Sequence, residues 1–176
     1  QVLTAVDAAI AQAPVDPKRV AVWGHSYGGY AALAIATQSP RFRAVIASAA
    51  PSNLVSFYGK LSPYSYAVPE AGLQIHSTAG WSETGQGRMG APPWKGLDRY
   101  RRNSPFEQAD RIVAPTLLVV GEYDLMLGQS EQLYGALHRL NRPVALILLI
   151  GEEHGLRSPG NIRLYYDQIR NWFDRY

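Results

Sequence analysis

Gly24-His25-Ser26-Tyr27-Gly28 sets a serine between two glycines, and the residues on either side make the motif informative. Residues 19–23 form a short apolar run that reads as a buried strand. Residues 30–38 are rich in alanine and read as a helix that stops near Pro40. A chain that passes from strand to helix within a few residues must turn sharply. A G-x-S-x-G turn in that position holds the serine on strained backbone at the end of a sheet, with the following helix aiming its N-terminal N–H groups at the hydroxyl. Side chains at the flanking positions are expected to collide with the neighbouring strand and helix, which is why glycine stands there. Ser26 is therefore the predicted nucleophile, and the N–H of Tyr27 the predicted first donor to a developing oxyanion.

The rest of the chain alternates in a way that suits this turn. Val2, Leu3, Val6, Ala9, Ile10 and Ala13 recur at helical spacing, and turn chemistry at 14–17 ends that helix. Residues 42–49, 115–121 and 144–150 read as further strands. Residues 130–140 read as a helix with Leu133, Leu137 and Leu140 on one face. Ser158-Pro159 opens a last helix whose apolar face is Ile162, Tyr165, Tyr166, Ile169, Trp172 and Phe173. Strands alternating with helices imply an α/β fold with a parallel sheet covered on both faces. Residues 51–103 break the pattern. They are rich in Gly, Pro, Ser and aromatics, and are predicted to form short helices acting as a cap-like insertion. Its aromatics, chiefly Tyr58, Tyr66 and Trp81, are candidate walls of a substrate pocket. After it, Ser104-Pro105-Phe106-Glu107 reads as a capping box with Ser104 at the N-cap.

Composition removes several alternatives. Of 176 residues, 47% are hydrophobic and 18% charged, which suits one compact domain rather than a disordered chain. The longest apolar run, 144–150, falls far below the roughly 18 residues that span a bilayer, and no signal-peptide pattern is visible. Zero cysteines exclude disulfides, zinc–thiolate sites and a cysteine nucleophile, and leave the compartment open. The net charge of +3 owes much to Arg99, Arg101 and Arg102, a cluster read as solvated. There is no longer basic stripe with interleaved aromatics, so no nucleic-acid partner is predicted. The four histidines are scattered without H-x-x-x-H or H-E-x-x-H spacing, so neither a metal site nor a cofactor is predicted.

An unaided serine hydroxyl needs a base, and the base needs an orienting carboxylate. In this type of fold the acid and then the histidine follow the serine in the chain, on loops after later strands. Asp124 follows the strand ending at Gly121, and His154 follows the strand ending at Ile150. Glu122 is the rival acid. Glu152 and Glu153 flank His154 and are read as shaping its loop. His25 is read as structural, because neighbours in a tight turn point apart. His76 lies in the insertion within reach of a substrate, and His138 reads as a surface residue, as do Asp110 and Asp167.

With the three loops in place, the chain resembles the prolyl-oligopeptidase family of serine peptidases, closest to its acylaminoacyl-peptidase and dipeptidyl-peptidase branches. The resemblance rests on Val15-Asp16-Pro17-Lys18-Arg19-Val20 leading into residues 24–30, on Asn103-Ser104-Pro105, on residues 112–118 running into Gly121-Glu122-Tyr123-Asp124, on Gln129-Ser130, and on Glu152-Glu153-His154-Gly155. It implies Ser26, Asp124 and His154 as the triad, a peptide substrate, and an acyl-enzyme. A carboxylesterase is the alternative reading, since one triad serves both chemistries, and a non-catalytic scaffold of the same fold is a third. Residues 125–128, Leu-Met-Leu-Gly, lack the Arg that members often carry just after the acid. Residues 83–90 followed by Pro92-Pro93-Trp94 are similar to a subgroup that includes bacterial lasso-peptide isopeptidases. The resemblance also implies that residues 1–176 are the C-terminal half of an α/β-hydrolase domain. The expected partner is then the upstream half of the same polypeptide, supplying further strands and a second oxyanion donor, and the segment alone is expected to be inactive. A homodimer is left open.

Overall fold

The computed structural model of the chain describes residues 2–61 and 73–176, with the backbone alone for 73–77. Helix α1 (Val2–Gln12) leads to strand β1 (Val22–His25), helix α2 (Tyr27–Ala36) and strand β2 (Val45–Ser48). Helices α3 (Leu54–Phe57), α4 (Leu73–Glu83) and α5 (Pro93–Arg102) and a 3-10 helix (Pro105–Arg111) follow, then strand β3 (Thr116–Gly121). Helix α6 (Leu127–Arg139), strand β4 (Val144–Leu149) and helix α7 (Pro159–Arg175) complete the chain. The strands form one parallel sheet in the order β1-β2-β3-β4. No helix among the described residues is long and apolar enough to cross a membrane.

Strands β2 and β3 are buried at every position because both of their faces are covered. The two-residue period of a strand divides their side chains between two cores. Val45, Ala47 and Leu118 pack with Leu33 of α2 and with Leu133 and Leu137 of α6. Ile46, Leu117 and Val119 pack on the other face with Leu149 and with Tyr165, Ile169 and Trp172 of α7. The fold is thus α/β with helices on both sides of a parallel sheet.

Three expectations change at the margins. The first strand begins at Val22, not at residue 19, and alternates between half-buried and exposed, with Trp23 45% exposed. Residues 16–19 form a turn instead: the Asp16 carboxylate accepts from the Lys18 N–H and the Arg19 Nε. Strand β1 also pairs with β2 on one side only, and no other described strand lies beside it. Leu140 lies just past the end of α6 and is exposed, whereas Leu133 and Leu137 are buried. On α7, Tyr166 and Phe173 are exposed, so the buried stripe is narrower than the apolar one.

The capping box at Ser104 is the third change. Pro105 does open a helix, but it is a 3-10 helix interrupted at Gln108, and the Ser104 side chain does not cap it. The fully buried Ser104 hydroxyl donates to the Tyr100 carbonyl at 2.8 Å and accepts the Leu54 N–H at 2.9 Å. A tertiary bond has displaced the local one, and it fastens the start of α3 to the end of α5. Gln129 makes a similar clasp from α6. Its buried side-chain oxygen accepts the N–H groups of Ser52 and Asn53, and its amide donates to Ser56 Oγ. Ser104→Ala leaves the Leu54 N–H buried without an acceptor and is expected to destabilise the protein by about 1–3 kcal/mol. Glu107→Gln, which would weaken a capping box, is expected to change stability by less than about 0.5 kcal/mol. Chemical denaturation of the two variants tests both values.

Candidate active site

The backbone of Ser26 is strained. Its φ of 58° and ψ of −122° lie where a residue with a Cβ rarely sits. The turn is held on both sides: the Ser26 N–H donates to the Ser48 carbonyl of β2 at 2.8 Å, and the Ser26 carbonyl accepts the Tyr30 N–H at 3.0 Å as α2 begins. The glycines divide the work differently from the motif's simple reading. A Cβ at Gly24 would run into the backbone of Gly28 and Gly29, and one at Gly29 would lie 2.9 Å from both Ala50 Cβ and the Ser48 carbonyl. A Cβ at Gly28 meets nothing within 4 Å. Gly24 and Gly29, rather than both flanking glycines, are the residues the packing requires.

Asp124 and His154 come to Ser26 on the loops after β3 and β4. Asp124 is buried, and its Oδ1 accepts the Met126 N–H at 2.9 Å. The Nδ1–H of His154 points between the two Asp124 carboxylate oxygens, 3.1 Å from each. Its Nε2 lies 2.8 Å from Ser26 Oγ and accepts the hydroxyl proton. The hydrogen bond to Asp124 outweighs partial burial and holds the imidazole pKa above its ordinary value. Glu122, the rival acid, points elsewhere: its carboxylate accepts the Gly151 N–H at 2.9 Å. Tyr27 opens α2, so its N–H is among the first of the helix, which have no acceptor within it.

His25 does not turn away from the site. Its ring stands 5.1 Å from that of His154. Burial, and then the charge of His154, hold its pKa below the ordinary value. A cleft of about 340 Å³ opens on the α7 side of His154, lined by Trp23, His25, Ser48, Leu149 and Tyr165 among others. Under it runs a polar chain the sequence did not reveal. Trp23 Nε1 donates to the Tyr165 hydroxyl at 3.1 Å, and that hydroxyl bonds Ser48 Oγ at 2.8 Å. Nothing local marks Ser48 or Tyr165, because each bond joins residues far apart in the chain.

Helix α4 places Trp81 beside the nucleophile turn, 6.3 Å from the Tyr27 ring and 5.1 Å from Phe57. Tyr58 follows α3 directly. It packs edge-on against Tyr100 and Trp94 and donates to Glu83 at 2.6 Å. Tyr66 and the side chain of His76 lie outside the described residues. Asp110 and His138 are exposed, and Asp167 forms a surface pair with Arg170. Arg99, Arg101 and Arg102 are exposed at the end of α5. No group of three His, Asp or Glu among the described residues is placed to hold a metal ion.

A parallel strand, a strained serine turn and a helix, within a sheet covered on both faces, define the α/β-hydrolase fold. The profile of the prolyl oligopeptidase family matches residues 1–176, and the chain belongs to that family of serine peptidases. It is 30% identical to an uncharacterized peptidase of Bacillus subtilis, YuxL, over 99% of this chain and 25% of that protein. It is 29% identical to dipeptidyl peptidase family member 6 of Caenorhabditis elegans, over 99% of this chain and 22% of that protein. Among solved structures, the acylaminoacyl peptidase of Pyrococcus horikoshii superposes with a TM-score of 0.81 at 26% identity, covering 99% of this chain and 27% of its own. The chain therefore spans about a quarter of the length of the relatives it matches.

The glycine geometry makes a paired prediction. Gly24→Ala is expected to destabilise the protein by about 1–3 kcal/mol, the usual cost of overpacking. Gly28→Ala, in open space within a helix, is expected to be neutral or to stabilise it by up to about 1 kcal/mol. Thermal unfolding of the two variants distinguishes them, and equal losses would contradict the assignment.

Proposed function

We propose that this chain carries the catalytic machinery of a serine peptidase, with Ser26 as nucleophile, His154 as general base and Asp124 as the orienting acid. The observation that carries the reading is the position of His154, with one ring nitrogen on Ser26 Oγ at 2.8 Å and the other on the Asp124 carboxylate at 3.1 Å. His154 takes the hydroxyl proton as Oγ attacks the substrate carbonyl, and returns it to the leaving group as the acyl-enzyme forms. Water then enters by the same route in reverse. Asp124 keeps the proton on Nδ1 and stabilises the imidazolium. The Tyr27 N–H, at the positive end of α2, receives the developing oxyanion.

The substrate is a peptide, bound against an aromatic wall that includes Trp81 beside the Tyr27 ring. Family membership and the peptidase names of the relatives support this choice over an ester. Cleavage of an isopeptide bond is a narrower form of the same chemistry. The edge of β1 that no described strand covers and the fourfold greater length of the relatives support an upstream partner segment of the same polypeptide, which covers that edge and supplies the second oxyanion donor. Residues 1–176 alone are then inactive.

The test uses the complete polypeptide. A fluorophosphonate is expected to label the wild type at Ser26 and to leave Ser26→Ala unlabelled while its unfolding transition is retained. Asp124→Asn is expected to lower turnover of a chromogenic amide by about 10⁴-fold, whereas Glu122→Gln changes it little. Because Asp124 raises the His154 pKa, wild-type activity climbs with pH through a value above that of an ordinary histidine, and in Asp124→Asn that limb moves to lower pH. The same shift makes the Asp124–His154 contact fully stabilising below the unfolded-state pKa, and that stabilisation is lost as pH rises through the folded-state value. Turnover of esters with no turnover of amides would favour a carboxylesterase. Labelling that persists in Ser26→Ala would refute the reading.

A further inference from the structure

His154 stands on a loop that little else holds in place. From residue 150 to residue 160 only Glu152 is buried, and Leu156 alone is half-buried. His154 itself is half-exposed. An imidazole on such a loop keeps its position by its bond to Asp124 and by whatever fixes the loop backbone.

Glu152 supplies most of that fixing. One carboxylate oxygen accepts the Arg157 N–H at 2.7 Å. The other accepts the Ser158 N–H at 2.9 Å and Asn161 Nδ2 at 2.9 Å. Asn161 also donates to the Ile150 carbonyl at 3.0 Å, which ties both ends of the loop to the first turn of α7. The Glu152 carbonyl meanwhile accepts the N–H of Tyr123, the residue before Asp124, at 2.9 Å. The two loops press together there, because a Cβ on Gly121 would overlap the carbonyls of Glu152 and Glu153. The neighbouring carboxylates do less. Glu153 makes only an exposed pair with Arg157 at 3.5 Å, of a kind worth about 0–1 kcal/mol, and Glu122 contributes the single bond to Gly151. The bonds from Asn161 and from the Arg157 and Ser158 N–H groups hold the Glu152 carboxyl below the usual carboxylate range, so it is ionised when it accepts them.

We propose that Glu152 is a positioning residue for His154: its side chain closes the loop 152–158 onto α7, its carbonyl locks that loop to the acid loop, and together they set the distance from Nε2 to Ser26. The proposal rests on the triad reading above. Glu152 does not touch the reacting atoms. It acts on turnover through the geometry of the base, and its own side chain does not line the cleft beside His154.

The experiment compares Glu152→Ala, Glu152→Gln and Asn161→Ala with wild type in the complete polypeptide. It measures kcat and KM on an amide substrate, the rate of phosphonate labelling, the thermal unfolding curve, and the low-field proton resonance of His154 Nδ1. Glu152→Ala is expected to lower kcat and the labelling rate by about 10²-fold, the scale of an ångström-sized misplacement, with KM within about twofold of wild type. The Nδ1 resonance should broaden or shift below the unfolding transition. Glu152→Gln keeps one accepting oxygen and should recover part of the loss, and Asn161→Ala should show a smaller loss of the same kind. These two variants carry the test if Glu152→Ala does not fold. Unchanged kcat and labelling would overturn the proposal, as would a loss confined to KM or one that only tracks the unfolded fraction. Labelling of Ser26 at the wild-type rate in these variants refutes the role of Glu152 alone, whereas labelling that survives Ser26→Ala refutes the triad and this proposal with it.

Discussion

The contact between the Ser26 N–H and the Ser48 carbonyl, at 2.8 Å, is the bond on which the arrangement of this molecule turns. It extends the pairing of β1 and β2 by one residue beyond the end of the strand, and so holds Ser26 at a φ of 58° while α2 starts behind it. A strained serine persists only where its surroundings over-determine it. Here they do: Gly24 and Gly29 let strand and helix close to a distance no side chain would allow, and Leu33 with its neighbours buries the helix against β2 and β3. The strain follows from the packing of the whole sheet, and it leaves the hydroxyl projecting toward the ends of the strands.

The same logic of close approach brings the other two loops in. Gly121 ends β3 with its backbone against the carbonyls of Glu152 and Glu153, so the loops carrying Asp124 and His154 are fitted to each other before any side chain is considered. From the other direction, Gln129 and Ser104 fix the insertion to α6 and to itself, and Phe57 packs with Val120 and Met126 directly beside the acid loop. The segment that bears Phe57 and Trp81 is thereby tied to the loop that bears Asp124.

What could be read from the amino acids was whatever a local constraint imposes. The serine turn was legible because few residue types satisfy its backbone, and β2 and β3 because burial on both faces forces continuous apolar runs. That Asp124 and His154 come to Ser26 was legible because chain order in such a fold restricts the candidates to loops after particular strands. Legibility failed where a residue answers to a distant partner. Ser104 has the sequence of an N-cap but bonds Leu54, fifty positions away. His25 was read as structural, pointing apart from its neighbour Ser26, and its ring lies 5.1 Å from that of His154, on a loop far along the chain. Gly28 shares the motif with Gly24 but not its crowding. The start of β1 was misplaced because Asp16 captures the N–H of Lys18 and the side chain of Arg19 in a turn, a competition that apolar periodicity does not register.

The most direct test of this account is a crystal structure of the complete polypeptide after reaction with a phosphonate ester. The account predicts a covalent bond from Ser26 Oγ to phosphorus, the phosphoryl oxygen accepting the Tyr27 N–H at the start of α2, and His154 still seated on the Asp124 carboxylate. Phosphorus on any other residue, or a phosphoryl oxygen directed away from the N-terminus of α2, would contradict it.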